Sequence, residues 1–293
     1  AEQAKEQIVE KLGASVRRRL ISDVPLGAFL SGGVDSSIIV ALMREHVQEL
    51  NTFSIKFDVP GYDESPYSKV VSDLFDTRHH EIEFNAETVR DLIVDLPYYY
   101  DEPFADPSMI PTCLVSRVAR QHVTVSLSGT GGDELFAGYA RYVELQALRT
   151  LNRLPAPLRL LLRGAVTAAN VPLRRDKLSK LGMFLGRRES IDQLYLKLFS
   201  YMFRSRREPA IALDAFDFLQ QYFACDDDLT NALNFDTRVY LPDCLLVKED
   251  RASMAVSLEA RVPFLDHTLV EYAAALPNRL KLHGSDKKHI LKQ

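Results

Sequence analysis

The chain has 293 residues, of which 46% are hydrophobic and 26% charged, with a formal net charge of −4. That balance excludes a disordered or fibrous polypeptide and leaves room for one large domain or two small ones. No apolar run reaches about 18 residues, and the N-terminal AEQAKEQIVEKLGASVRRRL lacks the charged-then-apolar layout of a signal peptide, so neither a membrane span nor secretion is expected and the expected compartment is the cytosol.

In chain order, LGAFL (26–30), TFSIKF (52–57), HHEIEF (79–84) and VTVSLS (123–128) read as strands. Between them VDSSIIVALMREHV, ESPYSKVVSDLF, AETVRDLIVDLPYYY and SMIPTCLVSRVARQH carry apolar residues at helical spacing. Repeated crossovers of this kind predict an α/β fold: a parallel twisted sheet with helices on both faces, whose ligands sit beyond the carboxyl ends of the strands. From about residue 150 to 240 the strand signals fade into a helical layer, with breaks expected at Pro155, Pro157 and Pro172. Residues 1–150 are thus expected to form the core, 151–240 a helical insert, and 241–293 the rest of the core.

Between Arg153 and Arg188, nine basic residues (Arg153, Arg159, Arg163, Arg174, Arg175, Lys177, Lys180, Arg187, Arg188) face one acid, Asp176. Aromatic residues are sparse there and the whole chain is acidic, so a solvated face or a seat for another domain is preferred to nucleic-acid binding. Cys113, Cys225 and Cys244 are widely spaced and form no CxxC pair, which predicts reduced thiols rather than a disulfide or a zinc site. The first residue is Ala rather than Met, as expected for a piece of a longer protein.

Two glycine-rich turns carry the chemistry. In LSGGVDSS (30–37), Gly32 and Gly33 stand between a strand and a helix. There the backbone can approach a ligand closely and the helix N-terminus favours negative charge, so the natural guest is a phosphate, with Ser31, Ser36 and Ser37 as extra donors. The pattern is neither a Walker A loop nor G-x-G-x-x-G. Asp35 beside phosphate makes sense with Mg²⁺ between them. The second turn, SLSGTGGDELFAGYARY (126–142), also leads from strand to glycines and presents Asp133 and Glu134. If the two strands are neighbours, Asp35 and Asp133 converge on one cation. For either turn alone, a tight βα connection with a capping acid is an equal alternative.

At these residues the chain resembles the PP-loop (N-type) ATP pyrophosphatases, with their adenine nucleotide alpha hydrolase-like fold, and within them the synthetase domain of glutamine-hydrolysing asparagine synthetases. SDVPLGAFLSGGVDSS, YDESPYSKVV, DEPFADPSMIP, SGTGGDELFAGYARY, KEDRASMAVSLEARVPFLDH and DKKHIL carry the resemblance in the family's order. It implies cleavage of ATP between its α and β phosphates, an acyl-adenylate on a carboxylate (aspartate in the family), and attack by ammonia. The turn Ser31, Gly32, Gly33, Asp35, Ser36 and Ser37 would then hold pyrophosphate. Leu30, Ile55, Ser128 and Gly129 would line the adenosine site, and Asp35 with Asp133 would bind Mg²⁺. Lys248, Arg251 and Thr130 are the implied catalytic positions. A glutaminase domain, upstream or in trans, would supply ammonia, and a homodimer is compatible; neither membrane nor nucleic acid enters. Glu259 and Arg261 are expected either as a buried ion pair or at the substrate.

The pattern departs from the family in three places. Thr130 stands where an acid lies between the glycines of the second turn, opening the alternatives of another carboxylate and amine pair (a sugar or secondary metabolite) or of a non-catalytic nucleotide-binding domain. No N-terminal glutaminase cysteine is present, and the sequence given stops before the lysine-bearing segment after DKKHIL, leaving Lys288 as the candidate to stand in for it.

Overall fold

The computed structural model describes residues 1–59, 63–173, 181–182, 184–185, 188–199 and 220–293. Five strands, β1 (Leu26–Phe29), β2 (Asn51–Phe57), β3 (Arg78–Phe84), β4 (Val125–Leu127) and β5 (Glu259–Arg261), pair in parallel in the order β3-β2-β1-β4-β5. The fold class is therefore the expected one. β5 was not foreseen: three residues with a charge at each end present no alternation. β4 is shorter than its sequence run, because the Val123 amide bonds the Ala119 carbonyl at 2.8 Å and closes the turn leaving the preceding helix.

The order matters more than the strand count. The chain steps outward from β1 to β2 to β3, then returns to place β4 on the other side of β1. The crevice between β1 and β4 is thus the topological switch point, where ligands of such sheets bind. Crossovers are made by α2 (Val34–Arg44), α3 (Ser65–Leu74), α4 (Ala86–Ile93), α5 (Leu96–Tyr100) and α6 (Met109–Arg120), after an initial α1 (Glu2–Arg19). Helix α1 buries Ala4, Ile8, Leu12 and Val16 at every fourth position, with Glu2 in its first turn and Arg17 to Arg19 in its last, charges that complement the helix dipole. That stripe joins Ile39, Val40 and Met43 of α2, Ala28 of β1 and Leu127 of β4 in one cluster. A separate cluster joins Phe53, Ala119, Val123 and Leu258. The three cysteines are free thiols, and among the described residues no helix is long and apolar enough to cross a membrane.

The chain forms two compact units. The first comprises Ala1–Phe136, Thr237–Lys281 and Lys288–Gln293, and the second Ala137–Asp236 and Leu282–Lys287. The first holds the sheet and both glycine turns, as well as α7 (Gly132–Phe136). The second holds α8 (Ala140–Asn152), α9 (Ala156–Leu173), α10 (Ile191–Phe199) and α11 (Asp228–Phe235). The break expected at Pro155 separates α8 from α9. Pro157 instead lies in the first turn of α9, where a missing N–H leaves no bond unmade, and Pro172 lies in its last turn. Of the basic stretch, Arg174, Arg175, Lys177, Lys180 and Arg187 lie outside the described residues. Arg153, Arg163 and Arg188 are exposed, but Arg159 is buried against the Asn152 carbonyl and side chain.

The second unit is centred on a buried charge. Asp236 is fully buried, and its Oδ2 accepts from Arg141 Nη2 at 2.8 Å and from the hydroxyls of Tyr142 and Tyr195. The guanidinium lies 3.8 Å from the centre of the Tyr139 ring. Removing one partner of such a pair leaves the other charge buried and uncompensated. Asp236→Ala is therefore expected to lower unfolding free energy by about 3–5 kcal/mol in urea titrations.

In the first unit His79 is held by Thr52 at 2.9 Å and Ser54 at 3.0 Å. Burial, with a smaller contribution from Lys69, lowers its pKa. The unfolded chain, whose imidazoles titrate near pH 6.5, therefore binds more protons than the folded one. The stability is complete above that pH and is lost as pH falls through it. A thermal midpoint that drops between about pH 7.5 and 5.5, with a shallower slope in His79→Gln, is the expected result.

Candidate active site

The first turn begins where β1 ends. The Leu30 amide still bonds the Phe53 carbonyl at 2.8 Å, after which the chain reverses through Gly32 at φ +78°. A Cβ on Gly32 would lie 2.5 Å from the Ser68 amide nitrogen and 2.6 Å from the Tyr67 Cβ, so both conformation and space require glycine. Gly33 is the N-cap of α2 and gives its amides no side-chain hydrogen bond, which leaves the first-turn donors for a ligand. The hydroxyls brace the turn itself: Ser31 Oγ meets Ser36 Oγ at 3.1 Å, and Ser36 and Ser37 donate to the Gly33 carbonyl at 3.2 and 2.8 Å.

The second turn follows β4 and packs directly onto the first. A Cβ on Gly132 would fall 2.4 Å from Asp35 Oδ2, and one on Gly129 would fall 3.0 Å from Asp35 Cβ. Side-chain-free backbone therefore brings the two turns together over the Asp35 carboxylate. Lys288 completes the cluster, with Nζ 2.6 Å from Asp35 Oδ2 and 2.7 Å from Asp133 Oδ1. Lys288 itself sits in the left-handed region at φ +52°, uncommon for a residue with a side chain.

Burial pushes the Asp35 carboxyl up to about 6, against the pull of Lys288 and with a further push from Asp133. Burial works against the Lys288 charge too, but the two carboxylates outweigh it and raise its pKa. Asp35 Oδ1 is buried with no hydrogen-bond partner. Two carboxylates sharing one cation, with an oxygen to spare, suit Mg²⁺, which takes one or two protein carboxylates and fills its other positions with water and phosphate oxygens.

Leu30, Ser31 and Ile55 face a common cavity of about 190 Å³ with Phe29, Phe53 and Val115. Ser128, Gly129 and Thr130 belong to the second turn. Ser128 Oγ is 2.9 Å from Thr130 Oγ1, which donates to Glu249 Oε2 at 2.5 Å. Glu249 lies on α12 (Val247–Met254) with Lys248 and Arg251. Both cations bond to the segment 100–108: Lys248 Nζ to Asp106 at 3.1 Å and Ser108 at 2.6 Å, Arg251 to the Tyr100 carbonyl and to Asp101 at 3.5 Å. Glu259 and Arg261 do pair at 2.7 Å, but the expectation of burial is corrected, since the Glu259 side chain is 56% exposed. Arg261 also donates to the carbonyls of Arg19 and Ile21, at 2.7 and 2.8 Å. The pair fastens β5 to the segment entering β1.

Glu249 and the Lys288 contact are what sequence reasoning missed. Glu249 reads as one more surface charge in VKEDR, and Lys288 meets Asp35 across 253 positions. The only signal for the lysine was its place in DKKHIL.

The family model for asparagine synthase matches residues 7–293. Asparagine synthetase (glutamine-hydrolysing) 1 of Bacillus subtilis (strain 168) is 30% identical over 98% of this chain and 46% of its own length. A Methanocaldococcus jannaschii protein named putative asparagine synthetase (glutamine-hydrolysing) 2 is 36% identical over 89% of this chain and 52% of its own, and asparagine synthetase B of Escherichia coli (strain K12) is 33% identical over 46% and 27%. The chain thus spans about half the length of the first two relatives. With a match from residue 7 to its last residue, over a sheet whose two glycine turns meet at the switch point, the chain belongs to the asparagine synthase family.

Proposed function

We propose that the chain is the ligase domain of an ATP-dependent, amide-forming enzyme. ATP adenylates a carboxylate, aspartate first among the candidates, with release of pyrophosphate, and ammonia then attacks the acyl carbon to give the amide and AMP. The observation that carries this reading is the pair Asp35 and Asp133, brought from two adjacent glycine turns onto one cation. A sensor needing only adenosine has little use for them.

The roles are those the resemblance implies, and the geometry is compatible with them. The turn 31–37 and the N-terminus of α2 hold the leaving pyrophosphate, and the Leu30 and Ile55 cavity, with Ser128 and Gly129, holds the adenosine. Asp35 and Asp133 would hold Mg²⁺, which would supply neutralising charge to the phosphates. Lys288 adds a fixed ammonium there, and Lys248 and Arg251 supply positive charge from α12. Such groups act by being positioned before the charge develops. A glutaminase domain, in cis or in trans, is the ammonia source, as the relatives' names suggest. Thr130 supports a second reading, in which the same adenylation serves another carboxylate and amine pair.

Pyrophosphate release from Mg²⁺-ATP, with ammonia and either aspartate or a panel of other carboxylates, tests this. Aspartate-dependent release is expected, and release without any carboxylate dependence would remove the ligase reading. Asp35→Asn should fold normally yet lose release by about a hundredfold or more, with circular dichroism as the control. At Gly33, φ is −70° and a Cβ would meet only Ser31 Oγ at 3.3 Å. Gly33→Val is therefore expected to fold while losing at least about tenfold in ATP affinity by calorimetry.

A further inference from the structure

The cavity beside Leu30 and Ile55 has polar as well as apolar walls, since Ser31, Ser54, Ser68 and Thr112 line it too. A hydroxyl has one proton, and what it offers a ligand depends on where that proton already goes. Ser68 donates to the Ser65 carbonyl at 3.0 Å and Thr112 to the Ser108 carbonyl at 2.7 Å, so each keeps only lone pairs for the cavity. Ser31 belongs to the phosphate turn.

Ser54 is oriented by a longer chain of bonds. Thr77 Oγ1 donates to Ser72 Oγ at 2.9 Å, and Ser72 donates to the Thr77 carbonyl at 3.5 Å. Thr77 has no second proton, so across their 2.8 Å contact it accepts from Thr52. Thr52 in turn accepts from His79 Nδ1 at 2.9 Å. Burial lowers the His79 pKa, so near neutral pH the ring carries a single proton, on Nδ1. Its Nε2 then accepts from the Ser54 hydroxyl at 3.0 Å. Ser54, 5% exposed, therefore also turns lone pairs to the cavity, held so by a ring on the neighbouring strand β3.

We propose that Ser54 is a specificity-determining residue that accepts a hydrogen bond from the exocyclic amino group of the adenine base, with His79 the positioning residue that keeps it an acceptor. The inference rests on the reading above, in which this cavity holds the adenosine. Three hydroxyls that can only accept favour a ring edge bearing an N–H, and a ring without one leaves them unpaired. An oxygen in place of the amino group sets acceptor against acceptor.

Calorimetric affinities for Mg²⁺-ATP and for purine riboside triphosphate, which lacks the amino group, test this. The parent protein is expected to bind ATP at least about tenfold more tightly, and Ser54→Ala to narrow that gap at least about fivefold, with the deamino nucleotide within about twofold of its parental affinity. A merely structural loss would weaken both nucleotides alike. In His79→Gln the amide can donate to or accept from Ser54, which frees the hydroxyl to donate to the base oxygen of inosine triphosphate. The ratio of ATP to inosine triphosphate affinity is then expected to fall at least about threefold. Equal parental binding of ATP and the deamino nucleotide, a gap unchanged in Ser54→Ala, or a ratio unchanged in His79→Gln would overturn the assignment while leaving the nucleotide reading in place. If Ser54→Ala does not fold, the parental gap and His79→Gln decide by the same criteria. No ATP binding by the folded parent would overturn the nucleotide reading and this assignment with it.

Discussion

The candidate site depends on a cluster of three charges: the ammonium of Lys288 held between Asp35 and Asp133. Two carboxylates at the mouth of a sheet repel each other, and a cation between them offsets that repulsion. The parallel sheet supplies the framework by pairing β1 with β4, so that both turns rise from adjacent strand ends. Glycine supplies the approach, since any side chain at 132 would occupy the Asp35 carboxylate's place. The cluster carries two carboxylates and one ammonium, a balance that leaves room for a further positive charge.

Much of this was legible in the sequence. Alternation of short β-branched runs with amphipathic ones revealed the parallel crossovers, and the glycine pair marked a turn that at Gly32 only glycine can make. The convergence of Asp35 and Asp133 was conditional on β1 and β4 being neighbours, which the sheet order satisfies. What escaped has a common cause. β5 is three residues long, too short for a period, and exists because β4 offers it an edge. Glu249 sits in a charged run, VKEDR, where local pattern predicts solvent, yet α12 turns it inward to a hydroxyl 119 positions away. Sequence patterns report which face of an element is apolar; they are silent about which distant polar group will meet a buried one.

The two units show contrasting uses of a buried carboxylate. Asp236 has one oxygen saturated by a guanidinium and two phenols stacked among aromatic rings, an arrangement that fixes packing. Asp236, Asp35 and Glu249 each keep one buried oxygen without a hydrogen-bond partner, so the contrast lies in their neighbours. In Asp236 the charge organises its surroundings. Asp35 instead shares a lysine with a second carboxylate, Asp133, at the mouth of the sheet, in line with the tendency of perturbed acids to gather at candidate sites.

The distance in sequence between Asp35 and Lys288 has a bearing on how the molecule is made. At about 5–20 residues added per second, the two are synthesised roughly 13 to 50 seconds apart. For most of that interval the nascent chain holds the first glycine turn and, later, the second, but lacks β5, and for all of it lacks the lysine that stands between the acids. The sheet is parallel and its pairings are non-local, the kind of topology that closes late. A ribosome-bound chain that stops short of β5 has a sheet with an open edge, and one that stops short of Lys288 has carboxylates without a counter-ion, so the candidate site is assembled only when synthesis of this stretch is nearly over.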